Sequence, residues 1–286
     1  MDRRDVLKGA IGGLAVLCSP RFARAAQASD VRKLTDKVSV VDGGGTNVVA
    51  LSTGDGLLLV DSGVPKYGDK LVASLKSVAS DSRVRTLFNT HYHLDQTGNN
   101  ELFAGSGAKI IAHDRTRQWM SNDYWLPDQD RYEKARPKAA WPTSTFQDKA
   151  SMKAGSEQVE YGYLLEAHTS GDIYVFFKNA NVLAVGGVAS PQRDPELDYF
   201  TGAWIGGRVD AMDVVLKTSN EETRIVPAYG PVMTRAEFKA ERDLMEEVRA
   251  RLFKQVREGQ GPEEIAVGLV GQPVAGQVAA CVEGDA

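Results

Sequence analysis

The chain has 286 residues, of which 42% are hydrophobic and 25% are charged. That length suffices to bury a core, and charges spread along the whole chain are typical of a soluble globular protein. The formal net charge of −4 argues against nucleic-acid binding, because the chain has no excess of basic residues to replace the counterions of a phosphate backbone.

The first 25 residues have the features of an export signal. Arg3 and Arg4 form a twin arginine, residues 9–17 are a short apolar run, and residues 23–25 have the small-x-small pattern of a cleavage site. The apolar run is too short to span a bilayer as a mature helix. We predict a signal peptide over 1–25, a periplasmic or secreted protein with no stable membrane insertion, and a single domain over 26–286. An amphipathic start to the folded domain is the alternative.

The next part of the chain alternates β-like runs with one amphipathic helix. Between residues 66 and 78, Leu71 and Leu75 recur at helical spacing and give the helix one apolar face. The pattern predicts a strand, helix, strand unit that ends just before His91. Glycine-rich turns separate the β-like runs, which are residues 38–41, 47–51, 57–60 and 84–88.

Two histidines and a carboxylate directly follow the last of these strands. His91 and His93 are separated by one residue, so at a strand end both rings can point a nitrogen at one ion about 2 Å away, as Zn²⁺ requires. Asp95 can then be a ligand of a second ion or a base for metal-bound water. Since the chain has only four histidines, we interpret the segment as metal-binding rather than as an ordinary polar loop.

The segment His91-Tyr92-His93-Leu94-Asp95-Gln96-Thr97-Gly98 resembles the signature of the metallo-β-lactamase superfamily. That signature is His-x-His-x-Asp-His followed by a small residue and Gly, and Gln96 stands at its third His. The resemblance covers about residues 36–258 and implies a four-layer αββα sandwich of the α/β class. It also implies that Asp61, at the end of an apolar strand, supports the metal-binding loop from behind the ligands.

The resemblance identifies further site positions. The run from His168 to Asp172 resembles the family's motif of His, Thr, a small residue, Gly and Asp. His168 is thereby implied as the third ligand beside the first two histidines. Gly187 stands where active relatives have an Asp that bridges two metals, and Tyr229 stands where they have a last His.

One of the two metal sites implied by the family is complete in this chain. The three histidines leave an open fourth position, the arrangement that lowers the pKa of bound water. The second site keeps one charged ligand, Asp95, because Gln96, Gly187 and Tyr229 replace the others. We predict one ion, zinc or alternatively iron, with Asp95 as a metal ligand or as the residue that orients or deprotonates water. Tyr229 is predicted to donate to an oxyanion or to close the second site, and Gln96 to bond substrate or water.

Other segments carry less chemistry. His113 ends a β-like run at a position where the family has no ligand, so we assign it no metal role. Residues 122–146 are predicted to be an irregular insertion, which serves as a lid or specificity loop or is pinned to the surface by its aromatic residues. A capping-box pattern at residues 234–237 predicts a helix to about Arg257. The remaining predicted strands and helix are residues 173–177, 181–187 and 223–231, and 209–215.

These observations predict an exported metal-dependent hydrolase in which one zinc-activated water attacks a small-molecule lactone, ester, thioester or β-lactam. The alternative is a metal-poor pseudoenzyme that acts as a periplasmic binding or accessory protein and docks through its aromatic segment. A third hypothesis is a sulfur or redox reaction at a single iron.

Overall fold

The computed structural model describes residues 30–126 and 130–261. The predicted export signal therefore lies outside the described residues. Within these two ranges, no helix is both long and apolar enough to cross a membrane.

Strands and helices occupy most of the segments that the sequence predicts. The strands are β1 (Val31–Lys33), β2 (Val38–Asp42), β3 (Asn47–Ser52), β4 (Leu57–Val60), β5 (Val84–Phe88), β6 (Lys109–His113), β7 (Tyr124–Leu126), β8 (Arg131–Glu133), β9 (Ser144–Phe146), β10 (Lys149–Ala154), β11 (Glu157–Tyr163), β12 (Ile173–Phe177), β13 (Val182–Gly186) and β14 (Arg224–Pro227). The helices are α1 (Gly68–Leu75), α2 (Leu94–Thr97), α3 (Asn100–Gly105), α4 (Asp114–Ser121), α5 (Ile205–Thr218) and α6 (Arg235–Arg257). The predicted capping box begins α6, with reciprocal hydrogen bonds between Thr234 and Glu237.

The strands form two large sheets. The first sheet has seven strands in the order β1-β2-β3-β4-β5-β6-β9, and the second has five in the order β10-β11-β12-β13-β14. From β4 onward the first sheet is parallel, and so is the β13–β14 pair of the second. Parallel neighbours need a crossover connection, which α1 supplies between β4 and β5 and α5 supplies between β13 and β14.

Each sheet buries both of its faces. Leu58 of the first sheet and Val175 of the second belong to one apolar core between the sheets. Leu71 of α1 covers the outer face of the first sheet. Met212 of α5 and Phe238 of α6 cover the outer face of the second. The resulting order of helix, sheet, sheet, helix confirms the predicted αββα sandwich.

The segment 122–146 is more regular than the sequence predicts. Strands β7 and β8 form a separate hairpin, and β9 joins the first sheet beside β6. These strands have three residues each, too few to produce a detectable hydrophobic period in a proline-rich segment. The Trp141 indole donates to the Arg136 carbonyl at 2.7 Å and packs on the fold. This part of the segment is therefore pinned, as one of the two interpretations predicts.

Candidate metal centre

Three imidazoles meet where the two sheets come together. His91 and His93 follow β5 of the first sheet, and His168 lies between β11 and β12 of the second. Their ring centroids are 4.7 to 4.9 Å apart, and the rings are nearly perpendicular to one another. One nitrogen from each ring lies within 4.8 Å of the other two. The structure thus brings together the three histidines that the resemblance implied.

A hydrogen-bonded chain fixes the orientation of His91. The Thr90 amide and hydroxyl both donate to the Asp61 carboxylate at 2.7 Å. The hydroxyl donates its only proton to Asp61. Its oxygen therefore accepts a hydrogen bond from Nδ1–H of His91, at 3.0 Å. This tautomer leaves the Nε2 lone pair of His91 available to an ion. Asp61 thus lies behind the segment that carries His91, where the resemblance placed it.

Asp61 is itself deeply buried. Burial raises the pKa of Asp61 to about 8, since the two hydrogen bonds from Thr90 offset only part of the cost of burying a charge. A cation at the three-histidine cluster favours the ionised form of this carboxylate.

The other two imidazoles also have a carboxylate beside one ring nitrogen. Nε2–H of His93 donates to Asp198 at 3.1 Å, which leaves Nδ1 for an ion. Nδ1 of His168 lies 3.6 Å from Oδ1 of Asp172. Both of these buried atoms lack a hydrogen-bond partner in the part of the chain that the structure describes. Such carboxylate partners are typical of metal-binding histidines.

The donor set fits a zinc ion. Burial, and then the neighbouring histidines, hold the pKa values of His91 and His168 well below the usual range. Both rings are therefore neutral, the form that binds metals. Burial also lowers the pKa of His93, but the hydrogen bond and charge of Asp198 outweigh burial and raise it. The His93 side chain is 21% exposed, against 5% for His168, so the cluster opens to solvent at His93.

The residues that replace the ligands of the second site form a group of their own. The Tyr229 hydroxyl donates to the Asp95 carboxylate, and the guanidinium of Arg193 lies 4.0 Å above the Tyr229 ring. Gln96 is fully buried, with Nε2 at 3.5 Å from Oδ2 of Asp95. Within the described residues, Asp95 lies outside the cluster of donor atoms suited to one ion. Its metal and catalytic roles, like those of Gln96 and Tyr229, stay predictions.

Gly187 lies directly against the ring of His168. A Cβ atom at position 187 would lie 2.6 Å from both Cγ and Cε1 of His168. A side chain at position 187 would therefore require the His168 imidazole to move from this position. The His168 ring thus occupies the space that a side chain at position 187 would need.

His113 lies elsewhere, as predicted. Its ring stacks on Tyr163 with centroids 3.8 Å apart. Nε2–H donates to the Gln147 carbonyl at 3.1 Å, and Nδ1 accepts from the Arg115 amide at 3.2 Å. Both ring nitrogens are thus occupied by the fold.

Asp198 is a site residue that the sequence analysis missed. Its carboxylate accepts from the Tyr92 hydroxyl at 2.6 Å as well as from His93. Burial raises the pKa of Asp198, but these two hydrogen bonds outweigh burial and hold the pKa below its usual value. No sequence signal separates Asp198 from Asp194 or Glu196, because all three lie in one polar loop without periodicity.

A buried arginine holds that loop in place. Arg208 of α5 has no exposed surface, and its guanidinium donates to the carbonyls of Gly187 and Glu196, each at 3.1 Å. It also donates to the Ser190 hydroxyl at 3.0 Å and pairs with Glu241 of α6 at 3.4 Å. A buried guanidinium requires such partners. Arg208 therefore fixes both ends of the loop segment that leads from the His168 ring towards Asp198.

Comparison with known proteins agrees with this geometry. The family model of the metallo-beta-lactamase superfamily matches residues 41–229. The chain belongs to this superfamily. It is 26% identical over 190 residues to metallo-beta-lactamase type 2 of Bacillus cereus, which covers 65% of this chain and 68% of that protein. It is 24% identical over 187 residues to metallo-beta-lactamase type 2 of Bacillus sp. (strain 170), covering 65% and 67%.

Solved structures show the same fold. A metallo-beta-lactamase from Pontibacter korlensis superposes with a TM-score of 0.61 at 19% identity, covering 76% of this chain and 98% of that one. The superfamily predicted from the histidine segment is therefore confirmed, and so is its sandwich fold.

The substitution Asp198→Asn tests whether the Asp198 carboxylate supports metal binding by the three histidines. The change keeps the shape of the side chain and removes the charge that orients His93, so we expect zinc affinity to fall roughly 10- to 100-fold. Competition against a chromophoric chelator measures the affinity. Asp194→Asn makes the same change on the same loop at an exposed position and should leave zinc affinity unchanged. Equal affinities in both variants and the wild type would contradict the role of Asp198.

Proposed function

We propose that this protein is an exported hydrolase that uses one zinc ion to cleave a small lactone, ester, thioester or β-lactam. The observation that carries the proposal is the cluster of three imidazoles, two of them oriented by hydrogen bonds and the cluster open to solvent at His93. A zinc ion held by three imidazoles activates water for attack on a carbonyl carbon. Membership of the metallo-β-lactamase superfamily supports a small molecule as the substrate.

In this proposal, Asp95 accepts the proton of the attacking water. A carboxylate beside the open position of a metal site is a suitable base. The hydroxyl of Tyr229 donates to Asp95 and so keeps the carboxylate in one orientation. Gln96 is buried next to the same carboxylate and supports it from behind. Tyr229 thus closes the second site rather than serving an oxyanion, because its proton is committed to Asp95.

Metal analysis of purified protein tests the proposal directly. The wild type should contain about one zinc per chain, and His91→Ala should lose it because two imidazoles hold zinc poorly. His113→Ala is the matched control and should retain the metal, because His113 lies outside the cluster. The same measurement distinguishes zinc from iron. A wild type that carries no more metal than His91→Ala would overturn the proposal and favour the metal-poor binding protein.

Kinetics separate a catalytic Asp95 from a metal-binding one. Asp95→Asn should lower kcat on the substrate that the wild type cleaves, from a panel of one lactone, ester, thioester and β-lactam, by roughly 100-fold or more. Its zinc content should stay at the wild-type level. Tyr229→Phe should lower kcat by about ten-fold, because the carboxylate then loses one charge-assisted hydrogen bond. Loss of zinc in Asp95→Asn would make Asp95 a ligand, and unchanged kcat in both variants would rule out the proposed base.

In this proposal, export depends on the twin arginine near the N-terminus. Replacing Arg3 and Arg4 by lysine keeps the charge but removes the twin arginine, so the protein should stay in the cytoplasm. Cell fractionation followed by immunoblotting measures this. Arg21→Lys makes the same change in the same segment outside the pair and should leave export intact. Normal export of the double variant would refute a twin-arginine signal.

A further inference from the structure

The open side of the three-histidine cluster is bordered by apolar surface. His93 is the most exposed of the three imidazoles, and the next residue, Leu94, leaves 42% of its surface exposed. The Tyr92 ring, which is buried, packs against His93 with its centroid 4.7 Å from that of the imidazole. Exposed apolar surface of Leu94 therefore lies next to the most exposed of the three imidazoles, and an aromatic ring packs beneath it.

Tyr92 is the first of four aromatic rings in continuous contact. The Trp119 ring lies 5.9 Å from Tyr92, and Tyr124 lies 5.1 Å from Trp119. Phe200 lies 5.6 Å from both Trp119 and Tyr124 and is nearly parallel to Tyr124. We refer to Tyr92, Trp119, Tyr124 and Phe200 as the aromatic wall. It extends from a candidate metal ligand to the protein surface.

The aromatic wall is fixed to the cluster by two hydrogen bonds. The Tyr92 hydroxyl donates to Asp198, which also binds His93. The Trp119 indole donates to the Ser170 hydroxyl at 2.8 Å, two residues after His168. The polar groups of these two rings are thus satisfied within the fold, and the exposed part of the wall at Phe200 is apolar. The distance from the wall to the candidate ion is thereby set by the same residues that orient the ligands.

Packing alone does not account for the outer end of the wall. Trp141 and Met120 pack on Tyr92 in a small core and anchor the local chain. Phe200, in contrast, leaves 40% of its surface exposed. Exposed apolar surface beside convergent polar groups is typical of a ligand-binding site.

We propose that the aromatic wall is a subsite for an aromatic group on the acyl part of the substrate. This inference rests on the proposed hydrolytic function and deepens it by naming the substrate class, which is esters, thioesters or cyclic analogues of aryl-substituted carboxylic acids. The acyl carbonyl then lies at the three-histidine cluster and the aryl ring packs on the exposed surface of Phe200. Offset stacking between rings accounts for the preference.

Calorimetric titration with two carboxylic acids tests the subsite without requiring turnover. Phenylacetate and acetate, the acid products of matched aryl and alkyl esters, are titrated into the full chain with one equivalent of zinc. Phenylacetate should bind about five-fold more tightly than acetate, as expected for one ring stacked on another. Phe200→Ala should remove this difference by weakening phenylacetate alone, and Phe200→Trp, which keeps a flat ring, should restore it.

Tyr199→Ala is the matched control. Tyr199 precedes Phe200, is 69% exposed and is not part of the aromatic wall, so its loss should leave both affinities unchanged. Equal binding of the two acids by the wild type, or an aryl preference that survives Phe200→Ala, would overturn the subsite. Aryl preference without hydrolysis of any aryl or alkyl ester would support the subsite and overturn the proposed function, so the two failures are distinguishable.

Discussion

The packing of two sheets across one apolar core determines the geometry of the candidate site. His91 and His93 come from the first sheet and His168 from the second, so the spacing of the three rings depends on the side chains between the sheets. Leu58 and Val175 are among those side chains. Because protein interiors are close-packed, this spacing is held rigidly. An ion that requires donors at fixed distances therefore depends on residues that never touch it.

The same arrangement brings three histidines together as a candidate metal site and gives the residues at the second-site positions other contacts. Gly187 has no side chain, and the His168 ring lies against its Cα. Near the place expected for a second ion, a hydroxyl of Tyr229 meets the carboxylate of Asp95. A phenol and a carboxylate satisfy each other in this way without a cation. The charge of Asp95 is thereby retained for proton transfer in the proposed reaction.

The loop after β13 links the site to the helical layer. Arg208 of α5 and Glu241 of α6 form a buried pair, and the guanidinium reaches back to the carbonyls of Gly187 and Glu196. Removing one partner of such a pair typically costs about 3 to 5 kcal/mol, because the other charge is left buried and unpaired. The position of Asp198 beside His93 therefore depends on helices that contribute no ligand.

The sequence by itself determined the longer apolar strands, the amphipathic helices and the first two candidate ligands, because these follow from short-range periodicity and from two histidines one residue apart. The resemblance to the metallo-β-lactamase superfamily identified two further site residues, His168 and Asp61. Only the tertiary structure revealed Asp198, the aromatic wall and the pairing of Asp95 with Tyr229. Each of these joins residues more than 70 positions apart or lies in a loop without periodicity. Such contacts depend on how the sheets and loops pack, and local sequence patterns carry no record of that packing.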